Sequence, residues 1–142
     1  MLVLTDKLWL DSHIIKVHSS TTEDWDKPDS SIITKCVLEQ IKSYMTDIKD
    51  VECCEPMIMI IDLSKGCFPP WMEALRIARF FVAMKSLILV SLDFTVIYVT
   101  TIKQETWLNR IFTMYTPARP VHIVHSKKEI KEKIIENRKD NS

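Results

Sequence analysis

Two strand-length runs, the unbroken apolar MIMII at Met57 to Ile61 and the β-branched and aromatic FTVIYV at Phe94 to Val99, constrain the fold of this chain more than any other feature. A strand with one wet face alternates apolar and polar residues, so a continuous run calls for a strand covered on both faces. Helical periodicity flanks both runs. Ile33, Val37, Ile41, Tyr44 and Ile48 recur at helical spacing after Ser30 and Ser31, either of which can cap a helix start. Pro69 and Pro70 suit the start of a second helix, read over about 70–91. A third runs from Lys103 to Tyr115, with Trp107, Ile111 and Tyr115 on one stripe, and stops at Pro117. Pro120 to Val124 forms a short strand, and Ser126 caps a last helix, KKEIKEKIIENRK, whose stripe is Ile130, Ile134 and Ile135. Ahead of these, Leu2 to Leu4 and Leu8 to Val17 read as two or three short antiparallel strands, broken near Asp6-Lys7 and Asp11-Ser12.

The fold class expected is therefore α/β, one domain over 1–142 with a flexible tail from 137. Its mixed sheet has N-terminal antiparallel strands, then three parallel strands joined by crossover helices. At 142 residues, 46% of them apolar, the chain can bury a core of its own. Lysine plus arginine equal aspartate plus glutamate at 19 each, so overall charge calls for no nucleic acid or charged membrane. Asp6, Lys7 and Asp11 interrupt any signal-like apolar stretch, and Arg76, Arg79, Lys85 and Asp93 break the most apolar region. A soluble, cytoplasmic protein with no transmembrane segment is the expectation. Cys36, Cys53, Cys54 and Cys67 lack metal-ligand spacing, and His13, His18, His122 and His125 fall on apparent strands, so no metal or cofactor is implied.

Parallel strands gather their C-terminal ends along one edge, where such sheets bind ligands. Here that edge should carry Ser64, Lys65, Thr100, Thr101, Lys103, His125, Ser126, Lys127 and Lys128. Lys65, Thr100, Thr101, Lys103, Ser126 and Lys127 could hold an anion at the helix starts, the alternative being a solvated rim. One glycine, Gly66, is too few for a dinucleotide fingerprint or a P-loop. Ser64 has no G-x-S-x-G elbow, Cys67 has no histidine partner evident in sequence, and Asp62 reads as a carboxylate that bonds loop amides.

The order of elements and the stretch IMIIDLSKGCFPPWMEALRIA resemble the STAS domain family of sulfate transporters and anti-sigma factor antagonists. In that family an apolar strand ends in a D-L-S-like segment, and the next helix opens with a D-S-S/T-G motif whose hydroxyl is a phosphorylation switch. Asp62, Leu63 and Ser64 match the strand end, and Phe68 matches the apolar residue before the motif. Pro70, Trp71, Met72 and Glu73 stand where the motif would be, without a switch hydroxyl. The closing segment from Phe94 is also similar to the end of these domains. A looser likeness is to CRAL-TRIO lipid-binding modules.

The resemblance implies a non-enzymatic regulatory domain, STAS-like but without the switch serine, that binds a protein partner or a second copy of itself. Ser64, Lys65, Phe68, Trp71, Met72, Phe80 and Met84 are the candidate contact residues. The alternative is a carrier of an apolar or amphipathic, lipid-like ligand with an anionic head group at the sheet edge. On the helix after Pro70, Trp71, Leu75, Ala78 and Val82 form the expected core stripe, with Glu73, Arg76 and Arg79 on a polar strip. Met72, Phe80, Phe81, Met84, Leu87 and Ile88 are then a surplus, to be buried by a neighbouring helix, a ligand or a second molecule.

Overall fold

A computed structural model describes residues 2–9, 12–19, 30–50, 56–64 and 71–140. Their elements run β1 (Leu2–Trp9), β2 (Ser12–Ser19), α1 (Ser30–Asp50), β3 (Met57–Asp62), α2 (Trp71–Ala83), α3 (Lys85–Ser91), β4 (Leu92–Tyr98), α4 (Ile102–Met114), β5 (Val121–Val124) and α5 (Lys127–Asp140). The order across the sheet is β1-β2-β3-β4-β5. β3, β4 and β5 are parallel, β2 pairs parallel with β3, and β1 pairs antiparallel with β2. β1 continues through Asp6 and Lys7, where composition suggested a break. His125 lies past the end of β5, and α5 continues to Asp140, into the segment read as a tail.

Every parallel crossover moves one strand further in the same direction, so crossovers of one hand must place their helices on one face. The packing follows that rule. Met57, Met59 and Leu92 pack with Leu38, Ile41 and Met45 of α1 and Ile88 of α3, joined by Ile77, Phe80 and Phe81 of α2. Leu63, Ile97 and Val99 pack on the same side with Leu108, Trp107 and Phe112 of α4. The alternate residues Ile58, Ile60, Phe94 and Val96, with Ile14 and Val124, pack on the other side with Ile130 and Ile134 of α5. Alternation along MIMII thus serves both cores, which is why the run carries no polar residue. On α5, Ile135 is exposed and drops out of the expected stripe.

The helix read over about 70–91 is bent into α2 and α3 at Met84. The hydrogen bonds continue across the bend, Met84 N–H to Phe80 O at 3.0 Å and Ile88 N–H to Met84 O at 2.9 Å. This segment packs with a different face from the one its stripe suggested. Ala74 is buried, and Ile77, Phe80, Phe81, Met84 and Leu87 pack against the α1 cluster, whereas Trp71 and Val82 are 40% and 53% exposed. Phe80 and Phe81 meet edge to face at 5.5 Å. The expected surplus is therefore largely core, and the expected core stripe is exposed at Trp71 and Val82 and half-buried at Leu75 and Ala78.

β4 carries a bulge that lets one strand serve two cores. Met57 pairs with Leu92 and Ile58 with Phe94, which leaves Asp93 as the extra residue. Leu92 consequently joins the α1 side and Phe94 the α5 side. Arg119 completes this bulge: its Nε–H donates to Leu92 O and Asp93 O, both at 3.1 Å, and its Nη2 lies 3.5 Å from Asp93 Oδ1. We expect Arg119→Gln to lower stability by about 1–3 kcal/mol, the cost of carbonyls losing a charged donor. Urea denaturation measures this, and an unchanged midpoint would show that water replaces the guanidinium without loss.

Candidate functional site

The C-terminal ends of β3 and β4 are held by one side chain. Gln104, in the first turn of α4, is almost fully buried. Its Nε2 donates to Leu63 O at 2.8 Å, and its Oε1 accepts from Thr100 N–H at 2.7 Å, Thr101 N–H at 3.2 Å and Thr100 Oγ1 at 3.3 Å. Thr101 Oγ1 accepts in turn from Gln104 N–H at 3.2 Å, which closes a capping box. A buried amide is tolerable only when its donors and acceptor are met, and here one residue meets two strand ends and a helix start. Asp62 Oδ1 accepts from Ser64 N–H at 2.8 Å, so this carboxylate stabilises the turn after β3.

The β5–α5 junction is closed in the same way. Ser126 Oγ accepts from Glu129 N–H at 3.2 Å, and Glu129 Oε2 accepts from His125 N–H at 3.1 Å. His125 Nε2 lies 3.0 Å from Glu105 Oε2, which ties this junction to α4. The Glu105 hydrogen bond raises the His125 pKa above its ordinary 6.5; desolvation opposes this, and the Glu105 and Glu129 charges add to it.

The fold therefore brings Ser64, Thr100, Thr101, His125 and Ser126 to one edge, with Lys103 and Lys127 exposed in the first turns of α4 and α5. Lys65, Phe68 and Cys67 lie outside the described residues. Thr100, Thr101 and Ser126 spend their polar groups on capping, and two carboxylates, Glu105 and Glu129, stand beside them. That geometry favours a self-closed rim over an anion cradle, because the Thr100 and Thr101 amides already face Gln104 Oε1 and the Gln104 amide faces Thr101 Oγ1. His125 Nε2 meets Glu105, and no Ser, Thr or Cys side chain among the described residues is hydrogen-bonded to it. Among the described residues no three His, Cys, Asp or Glu side chains gather as a metal site, and no helix is long and apolar enough to cross a membrane.

Of the candidate contact residues, Trp71 and Met72 stand at the start of α2, with Met72 72% exposed. Phe80 and Met84 instead pack toward α1. Two open depressions are lined by described residues: about 380 Å³ beside Phe112, Pro117 and Val121, and about 420 Å³ beside Lys42, Met84 and Val90. Sequence reasoning passed over Gln104, Glu105 and Glu129, although T-I-K-Q at Thr101 and S-K-K-E at Ser126 both carry the capping-box pattern. No family model, curated protein or solved structure matches the chain.

Two outcomes are expected at this edge. Gln104→Ala should cost about 1–3 kcal/mol by leaving Leu63 O and two N–H groups unpaired, and Gln104→Glu should not rescue it, since a carboxylate cannot donate to Leu63 O. Denaturant titration of both variants decides; full rescue by glutamate would contradict the donor role. Because the His125 pKa is raised on folding, its contribution is present below the unfolded value and fades as pH rises through the folded value. His125→Asn should therefore lower Tm more at about pH 5.5 than at about pH 8, and an equal loss at both would mean that the charged imidazole is not involved.

Proposed function

We propose that this chain is a non-enzymatic interaction domain that binds a protein partner through the outward face of α2, in the manner that the STAS resemblance implies but without a phosphorylation switch. The observation that carries this reading is the second apolar stripe of α2. Trp71, Leu75, Ala78 and Val82 follow one another at helical spacing, yet Ala74, Ile77, Phe80 and Phe81 are the residues of α2 turned to the core. Trp71, Val82 and the neighbouring Met72 remain 40%, 53% and 72% exposed. An exposed tryptophan and methionine beside branched aliphatics is the composition of an interface centre, and a helix face with such spacing suits another helix or groove. The capped sheet edge supports the same reading, since its polar groups stabilise the fold and leave little for chemistry.

Charge placed on the two stripes separates their roles. Val82→Asp and Met72→Asp should leave circular dichroism unchanged while reducing self-association in sedimentation and binding of an apolar dye. Phe80→Asp should unfold the chain, by about 3 kcal/mol or more for a charge forced into the α1 cluster. Unfolding by Val82→Asp would contradict the proposal. An apolar ligand retained in native mass spectrometry, and lost with Val82→Asp, would move the reading to a lipid-like carrier.

A further inference from the structure

Among the described residues β5 is the last strand of the sheet, and its backbone is paired on one side only. Thr95 N–H donates to Pro120 O and Val99 N–H donates to Val124 O, both at 3.0 Å. In a parallel pair the bonds to one neighbour come from alternate residues, so Pro120, His122 and Val124 face β4. The N–H and C=O of Val121 and Ile123 therefore point to the free edge, and among the described residues nothing pairs with them. The side chains of the same two residues lie on the α4 face, where they form the 380 Å³ depression with Asn109, Phe112 and Pro117. Two outward donor–acceptor pairs, spaced by two residues and bordered by an apolar hollow, match the pattern that one extended peptide presents on its inner edge and one face.

We infer that the β5 edge is a docking site for an extended apolar segment of a partner protein, which would add a sixth strand to the sheet. Its backbone bonds Val121 and Ile123, and an alternate side chain fills the hollow at Phe112 and Pro117. Arg119 at the rim is already engaged by Leu92, Asp93 and the Asp93 carboxylate, so the segment needs no acidic residue. A second copy of this chain does not fit as well. Four residues of edge span about 13 Å at ~3.3 Å per residue, too short to supply the ~1,200 Å² of a stable symmetric interface. The site lies on different elements from the α2 stripe and stands or falls without it.

Panning the full chain against phage-displayed random peptides tests this. The enriched peptides should alternate apolar residues, and the strongest, made synthetically, should slow amide exchange at Val121 and Ile123. Ile123→Pro removes an outward N–H without touching the β4 ladder, a place where an edge strand accepts proline. It should weaken the peptide about tenfold, the equivalent of one edge hydrogen bond left unmade, while Trp71→Asp leaves binding unchanged. Failure of any peptide to enrich, or enriched peptides that leave both amides exchanging as before, would overturn the proposal. So would equal binding to a folded Ile123→Pro. Should that variant not fold, exchange in the native chain decides alone.

Discussion

Gln104 is the interaction on which the working edge of this protein depends. Three chain segments end within reach of its side-chain amide: β3 through Leu63 O, β4 through the Thr100 and Thr101 amides, and α4 through the Thr101 capping box. Leu63, Val99 and Leu108 of the same three segments pack together, so separating them also exposes apolar surface. The buried amide makes separation costly, since each partner would lose a hydrogen bond in a place water reaches poorly. The consequence is functional as well as structural. In many parallel sheets this edge is where free helix-start amides meet a ligand. Here the Thr100, Thr101 and Gln104 amides are spent on the fold.

The direction of winding moves the opportunity elsewhere. With strands laid down in sequence order, α1 to α4 crowd one face of the sheet. α2 and α3 must then pack against α1 as well as against β3, and the bend at Met84 turns Phe80, Phe81 and Leu87 toward that junction. Rotation toward α1 is what carries Trp71 and Val82 outward. An apolar stripe on the solvent side of a helix costs solubility unless something covers it, which is why the α2 face is the surface through which a partner is proposed to bind.

The central strands were legible in the sequence because burial on both faces leaves an unmistakable apolar run. Helix positions were legible too, from Ser126 as a cap and from Pro117 as a stop. The face of α2 was not. Between Trp71 and Met84 only Glu73, Arg76 and Arg79 are charged, so two apolar stripes satisfy the same periodicity, and the choice between them rests on where α1 lies. The Arg119 bulge was equally hidden, since an arginine between Ala118 and Pro120 gives no local sign that Leu92 and Asp93, more than twenty-five residues earlier, need its donors. The edge composition fitted either an anion site or a solvated rim, since lysines, threonines and serines at helix starts suit both, and Gln104 and Glu129 were not read as their partners.

The claim that this edge is closed by its own side chains can be tested at a single group. In an NMR spectrum of the labelled protein, the Gln104 side-chain amide should exchange slowly with solvent, and neither it nor the Thr100 and Thr101 backbone amides should shift when inorganic phosphate is added. A fast-exchanging Gln104 amide, together with saturable phosphate-induced shifts at Thr100 and Thr101, would contradict the account and restore the edge as a ligand site.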